Sequence, residues 1–147
     1  MPDEHPNVRL IRDFHEGQNR FYARGEQGPV SAMLTADVAW HVPGRSAIAG
    51  DYRGRDEVLG HFARRRELAR ATFRIDVRGV VADDERAVIL AGGEVERDGQ
   101  PFTWGTAVIF RIEQGRIAEC WVLPYDQQAF DEIWSPAAAG LDSDVVD

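Results

Sequence analysis

From Phe73 to Leu123 the chain alternates apolar with polar residues in run after run, and short turn signals separate the runs. Phe73, Ile75 and Val77 alternate with Arg74, Asp76 and Arg78, the period-two pattern of a half-buried strand. Asp83-Asp84-Glu85 marks a turn, and a second strand is expected over 86–96. Asp98-Gly99 is a strong hairpin signal, and two further strands, over 102–112 and 116–123, meet at Glu113-Gln114-Gly115. Four consecutive strands joined by tight turns pair as an antiparallel meander. Such a sheet must bury at least one face, and the segments able to cover it lie upstream.

Those upstream segments read as helices. Ile11, Phe14, Gln18, Phe21 and Tyr22 recur at helical spacing over 7–24, and Gly25 follows as a stop. A short helix over 29–34 leads into a strand from Val38 to Val42. A third helix, over 55–69, carries Asp56 and Glu57 in its first turn, where the helix dipole favours acids, and packs through Val58, Leu59 and Phe62. A last short helix, over 127–134, follows Asp126 as its N-cap. Three helices, then a four-strand meander with one early strand at its edge, make an α+β fold. With 147 residues the chain is expected to form one domain over 7–135, with tails at 1–6 and 136–147, the second small and acidic.

The final hairpin carries a prediction about assembly. Placing Ile112 opposite Ile117 pairs Val108 with Trp121, Thr106 with Leu123 and Trp104 with Tyr125 on one face. Ala107, Ile109, Ala118, Cys120 and Val122 make the other face apolar too. Helices can cover one face of a single sheet in a chain this small, so the second face predicts a homodimer packed sheet to sheet.

Charge and composition narrow the function. A formal net charge of −8 argues against nucleic-acid binding, and Arg64-Arg65-Arg66, set among Glu57 and Glu67, reads as a solvated helix face. All 17 basic residues are arginine, which rules out Schiff-base and lysine-base chemistry. The single Cys120 forms no intrachain disulfide, so a reducing cytoplasm is the default. No apolar run approaches the roughly 18 residues of a membrane span, and Met-Pro-Asp-Glu-His-Pro lacks the features of a signal peptide. His15, His61, Glu94 and Glu96 lack metal-ligand spacing, and no phosphate-binding glycine loop or nucleophile elbow occurs. The expectation is chemistry without metal or cofactor. Gly92-Gly93 reads as a bend in a curved sheet.

Three segments carry a family resemblance. Trp-His-Val-Pro-Gly at 40–44, Ala-Gly-Asp-Tyr-Arg-Gly-Arg-Asp-Glu-Val at 49–58 and Trp-Val-Leu-Pro-Tyr-Asp-Gln-Gln-Ala-Phe-Asp-Glu-Ile-Trp at 121–134, in this order of elements, resemble the SnoaL-like, ketosteroid-isomerase-like branch of the NTF2-like superfamily. The resemblance spans about residues 7–135. It implies a cone-shaped barrel, a curved and mostly antiparallel sheet wrapped around three N-terminal helices, with a deep apolar pocket between. Relatives include steroid isomerases, epoxide hydrolases, polyketide cyclases and non-catalytic binding domains. The general base of the steroid isomerases falls on Val42, their oxyanion-hole tyrosine near Gln18 and their protonated acid near Val108. The polar residues of the epoxide hydrolases fall near Ile89, Ala91 and Leu123. Apolar side chains transfer no protons, so neither mechanism carries over. Isomerase, cyclase or hydrolase chemistry on an apolar oxygenated compound is the expectation, with a non-catalytic binding or dimerisation module as the alternative.

The candidate residues are few. Gln18 interrupts an apolar stripe, so it either braces the core or faces a ligand carbonyl. Trp40, Trp104 and Trp121 are expected to face inward with Val42 and Val108, as core or as ligand contacts. Alternation turns His41 away from the pocket, yet a twist at the strand end would make it the natural general base. Asp51 and Tyr52 sit on an expected rim loop, as a structural turn or as a carboxylate and phenol supplied by a lid. Tyr125 could offer its hydroxyl at the mouth, and parity places Glu119 inward beside Phe110. His41, Asp51 and Tyr52 are therefore the catalytic candidates, and Gln18, Trp40, Val42, Trp104, Val108, Trp121 and Tyr125 the ligand-binding ones.

Overall fold

A computed structural model of the chain describes residues 4–135; residues 1–3 and 136–147, which hold most of the expected tails, lie outside the described residues. Helix α1 runs over Pro6–Arg24. The His5 side chain accepts a hydrogen bond from the Asn7 N–H at 3.0 Å, and Gly25, at φ 79°, returns its N–H to the Phe21 carbonyl. Both ends of the helix are thus closed by its own sequence neighbours. A short α2 (Gly28–Ala32) leads into β1 (Leu34–Val42), then β2 (Gly50–Arg53) and α3 (Arg55–Leu68). The meander follows as β3 (Arg74–Ala82), β4 (Arg86–Arg97), β5 (Gln100–Glu113) and β6 (Arg116–Pro124), and α4 (Gln127–Ile133) completes the described chain.

The six strands form one sheet in the order β2-β1-β6-β5-β4-β3. All pairings are antiparallel except β1 against β6, which closes the early part of the chain onto the last strand. The β4–β5 turn has positive φ at both Asp98 (53°) and Gly99 (76°), the backbone twist that suits a two-residue hairpin. One face of the sheet wraps α1 and α3. Ile11, Phe14, Trp40, Phe62, Phe110 and Ile117 are among the buried side chains between the layers.

Two expectations about the sheet are corrected. The early strand is not its edge, because Gly50–Arg53 adds a further strand where a mobile loop was expected. The second correction concerns β6. Ile112 does pair with Ile117, but the register then shifts so that Arg111 faces Glu119 and Ala118 is left over as a bulge residue. Beyond that point every β6 side chain exchanges faces relative to uninterrupted pairing. Val122, not Trp121, lies opposite Val108, and Cys120, not Glu119, lies beside Phe110 on the buried side.

Candidate functional site

Between the helices and the concave face of the sheet lies a chamber of about 40 Å³. That is far below the several hundred Å³ of a site for a drug-sized ligand. Its volume is limited by aromatic side chains. Trp104 stacks on Phe73 (5.7 Å between centroids, 23° between planes) and meets Phe130 and Trp134 edge-on, each at 5.7 Å. Gly93 lies opposite Trp104 in the β4–β5 ladder, and a Cβ there would come within 2.2 Å of the indole. The absence of a side chain at Gly93 therefore admits the Trp104 ring.

Most polar groups of this chamber come from α1 and α3; β5 adds Thr106, whose hydroxyl donates to the Ala107 carbonyl at 3.1 Å. Phe14, Gln18 and Tyr22 lie on the buried stripe of α1, and His15 adjoins it one turn beyond Ile11. The His15 Nδ1 is 2.9 Å from the Ile11 carbonyl oxygen. A carbonyl only accepts, so Nδ1 carries the proton and Nε2 keeps a lone pair. Burial lowers the His15 pKa to about 4, so the ring is neutral at physiological pH; the bond to Ile11 opposes that shift and the nearby Arg65 charge adds to it. Gln18, 1% exposed, donates from Nε2 to the Tyr22 hydroxyl at 3.3 Å. Tyr22 also accepts from Arg65 Nη2, and burial raises its pKa to about 12.

Arg65 is the chamber's cation. It occupies an inward position of α3, one turn after Phe62 and two after Val58. Its guanidinium lies 5.2–5.3 Å from the ring centroids of Tyr22, Phe62 and Phe73, and its Nε is buried without an acceptor. The Trp40 indole N–H is likewise buried and unpaired.

The expected site residues divide sharply. Gln18, Trp40, Trp104 and Val108 line the chamber, while Val42 is buried in the core beside it. Trp121 lies on the outer face of the sheet, and Tyr125 is 65% exposed, its ring packed over Gly105. His41, Asp51 and Tyr52 do not line the chamber. His41 pairs with Asp51 across β1–β2 and with Trp121 across β1–β6, on the outer face. Its Nδ1 donates to Asp51 Oδ1 and its Nε2 to Glu119 Oε2, both at 2.6 Å, while its ring stacks on Trp121. Desolvation works to lower its pKa, but the two carboxylates outweigh it and hold the imidazolium above the ordinary histidine value. Glu119 also accepts from Arg111 Nε at 3.3 Å. Tyr52 turns to the helix side, donates to the Ile48 carbonyl at 2.7 Å and stacks on His61. The contacts of these three residues tie the β1–β2 edge to β6 and α3.

His15, Arg65 and Thr106 are the polar chamber residues that sequence reasoning missed. Arg65 was hidden in an arginine run, although its helical register with Val58 and Phe62 marks it as inward. His15 follows Phe14 and lies four residues from Ile11, which places it at the margin of the same stripe.

Comparison with known proteins agrees with this architecture. A family model described as a SnoaL-like domain matches residues 11–120. Over 115 residues the chain is 25% identical to the uncharacterized protein Rv0034 of Mycobacterium tuberculosis, covering 78% of this chain and 88% of that one. The structure of Bal32a, from a soil-derived mobile gene cassette, superposes with a TM-score of 0.80 at 28% identity, over 88% of this chain and 96% of its own. An NTF2-like protein from Anabaena variabilis gives a TM-score of 0.73 at 20% identity, over 86% and 95%.

Proposed function

The chain belongs to the SnoaL-like family and has its NTF2-like cone fold, and on that footing we propose that its chamber performs cofactor-independent proton transfer on a small, largely apolar, oxygenated organic molecule. The observation that carries this reading is His15: a neutral imidazole, with Nδ1 committed to the backbone and Nε2 free, in an aromatic chamber. Such a ring is unprotonated at neutral pH and accepts a proton through Nε2, as a base that burial has weakened. The guanidinium of Arg65 and the amide of Gln18 supply donors for the oxygen that gains charge when a neighbouring C–H proton leaves. The role first given to His41, Asp51 and Tyr52 passes to α1 and α3. The small free volume limits the substrate to a few heavy atoms unless Phe130 and Trp104 move aside.

The test is hydrogen–deuterium exchange at the α-carbons of acetone, butanone and cyclopentanone in D2O, followed by NMR. The native protein is expected to accelerate exchange of at least one, with a rate that rises through about pH 4 and is flat above it. His15→Gln keeps a bond to Ile11 and removes the base, and it should slow exchange by roughly 100-fold or more. Equal exchange with and without native protein, or with the variant, rejects the reading.

A second proposal concerns assembly. Val81, Val88, Ile109, Trp121, His41 and Asp51 lie in one row of paired residues across all six strands. Next to it, Leu90 and Leu123 are 51% and 43% exposed. Arg86 and Arg111 flank this strip along with Glu113 and Glu119, so the patch offers both signs of charge to a copy of itself. A two-fold dimer requires such self-complementarity. We propose a homodimer packed through this face.

A further inference from the structure

Arg65 is a buried charge without a counter-charge. It is 6% exposed, and no carboxylate among the described residues pairs with it. The ionisable groups that feel its charge from within the fold are His15, His61, Tyr22, Tyr52 and Cys120. Both histidines are held neutral by burial, and burial keeps the two phenols and the thiol protonated. None can balance a cation. A guanidinium carries five N–H donors. Here Nη2 is committed to Tyr22 and Nε has no acceptor, while the Trp40 N–H stands unpaired on the same chamber's wall.

Three ring faces around the guanidinium offset part of the desolvation cost. Beyond the Tyr22 hydroxyl they supply no acceptor oxygen, and a buried charge without a counter-charge remains costly. A chamber that is positive, donor-rich and aromatic, and closed to bulk solvent on most sides, fits one chemical class of occupant: a small organic anion with a flat apolar body.

We infer that Arg65 anchors an anion subsite and that the chamber takes a small carboxylic acid as its carboxylate. The carboxylate oxygens pair with the free guanidinium N–H groups, and the unsaturated body lies among Trp40, Phe73 and Phe110. This rests on the chamber being a small-molecule site and names the substrate class for it. Neutral ketones probe proton transfer without a carboxylate to anchor. The natural substrate would present a carboxylate to Arg65 and a C–H bond to His15.

The experiment uses crotonate and its neutral counterpart crotonamide, equal in size and shape. Binding to the full chain is titrated by calorimetry and by quenching of tryptophan fluorescence. Crotonate is expected to bind at least about tenfold more tightly than crotonamide. Arg65→Met keeps the side-chain length, and it should bring the two affinities together. Arg65→Lys retains the charge, so a reduced preference for crotonate should survive there even if the methionine variant does not fold. Equal affinity of native protein for the two ligands, no measurable binding of either, or an undiminished preference in Arg65→Met overturns the inference. Ketone exchange by the native protein with no preference for crotonate would overturn this subsite and leave proton transfer standing; the converse result would remove the base and keep the anion site.

Discussion

His15, His61 and His41 give three histidines two opposite dependences on pH. Burial lowers the His15 value from 6.5 to about 4 and takes His61, both of whose ring nitrogens are unpaired, well below 6.5. Between the folded and unfolded values the unfolded chain holds the proton and the folded chain does not. The stabilisation is therefore complete above pH 6.5 and is lost as pH falls through this window. For His15 alone the gap corresponds to about 3 kcal/mol. His41 has the reverse sign. Its folded value is raised, so its contribution is full below 6.5 and is lost as pH climbs through the folded value. Chemical denaturation from pH 4 to 9 should show an optimum between an acid limb and an alkaline limb. His61→Phe should flatten the acid limb, and His41→Gln the alkaline one. An acid limb unchanged by His61→Phe would show that this histidine is already protonated in the folded state.

At the scale of single elements, Gly93 sets how β4 and β5 meet the chamber. A methyl group at 93 would strike the Trp104 indole, which Phe73, Phe130 and Trp134 hold in place. Gly93→Ala should cost about 1–3 kcal/mol in thermal or chemical unfolding and should change tryptophan emission. Asp126→Ala, which removes the acceptor for the Ala129 N–H, should cost about 1 kcal/mol. Helices and meander strands were legible in the sequence because period and turn chemistry are local signals. Asp98-Gly99 dictates its hairpin without outside help. Less was legible where pairing decides the structure. The Ala118 bulge obeys no local pattern, and it alone moved Trp121 and Glu119 to the outer face. Asp51-Tyr52 became a strand because β1 offered an open edge. Gln18 was readable as an oddity in its stripe, whereas Arg65 was masked by neighbours of the same type.

The described residues present one sheet face closed by helices and one carrying exposed apolar side chains. If the outer row of β-residues is a dimer seam, Trp121→Arg or Leu123→Glu should convert a dimer into a monomer at micromolar concentration in sedimentation equilibrium, with the helical circular dichroism intact. A native protein that sediments as a monomer rejects the seam. Among the described residues no helix is long and apolar enough to cross a membrane. The parallel contact of β1 with β6 has a further effect, on how the chain comes into being. Leu34–Val42 leaves the ribosome before β3, β4 and β5, yet its inner neighbour is made only after all three. The wall contributed by Phe130 arrives later still, with α4, which is tied back to the β1–β2 connection through Gln127 to the Pro43 carbonyl and through the Ala47 N–H to Trp134. During synthesis β1 must wait with its inner edge unpaired, so nascent chains halted before residue 116 should bind holdase chaperones and hydrophobic dyes, and those extended past α4 should release them.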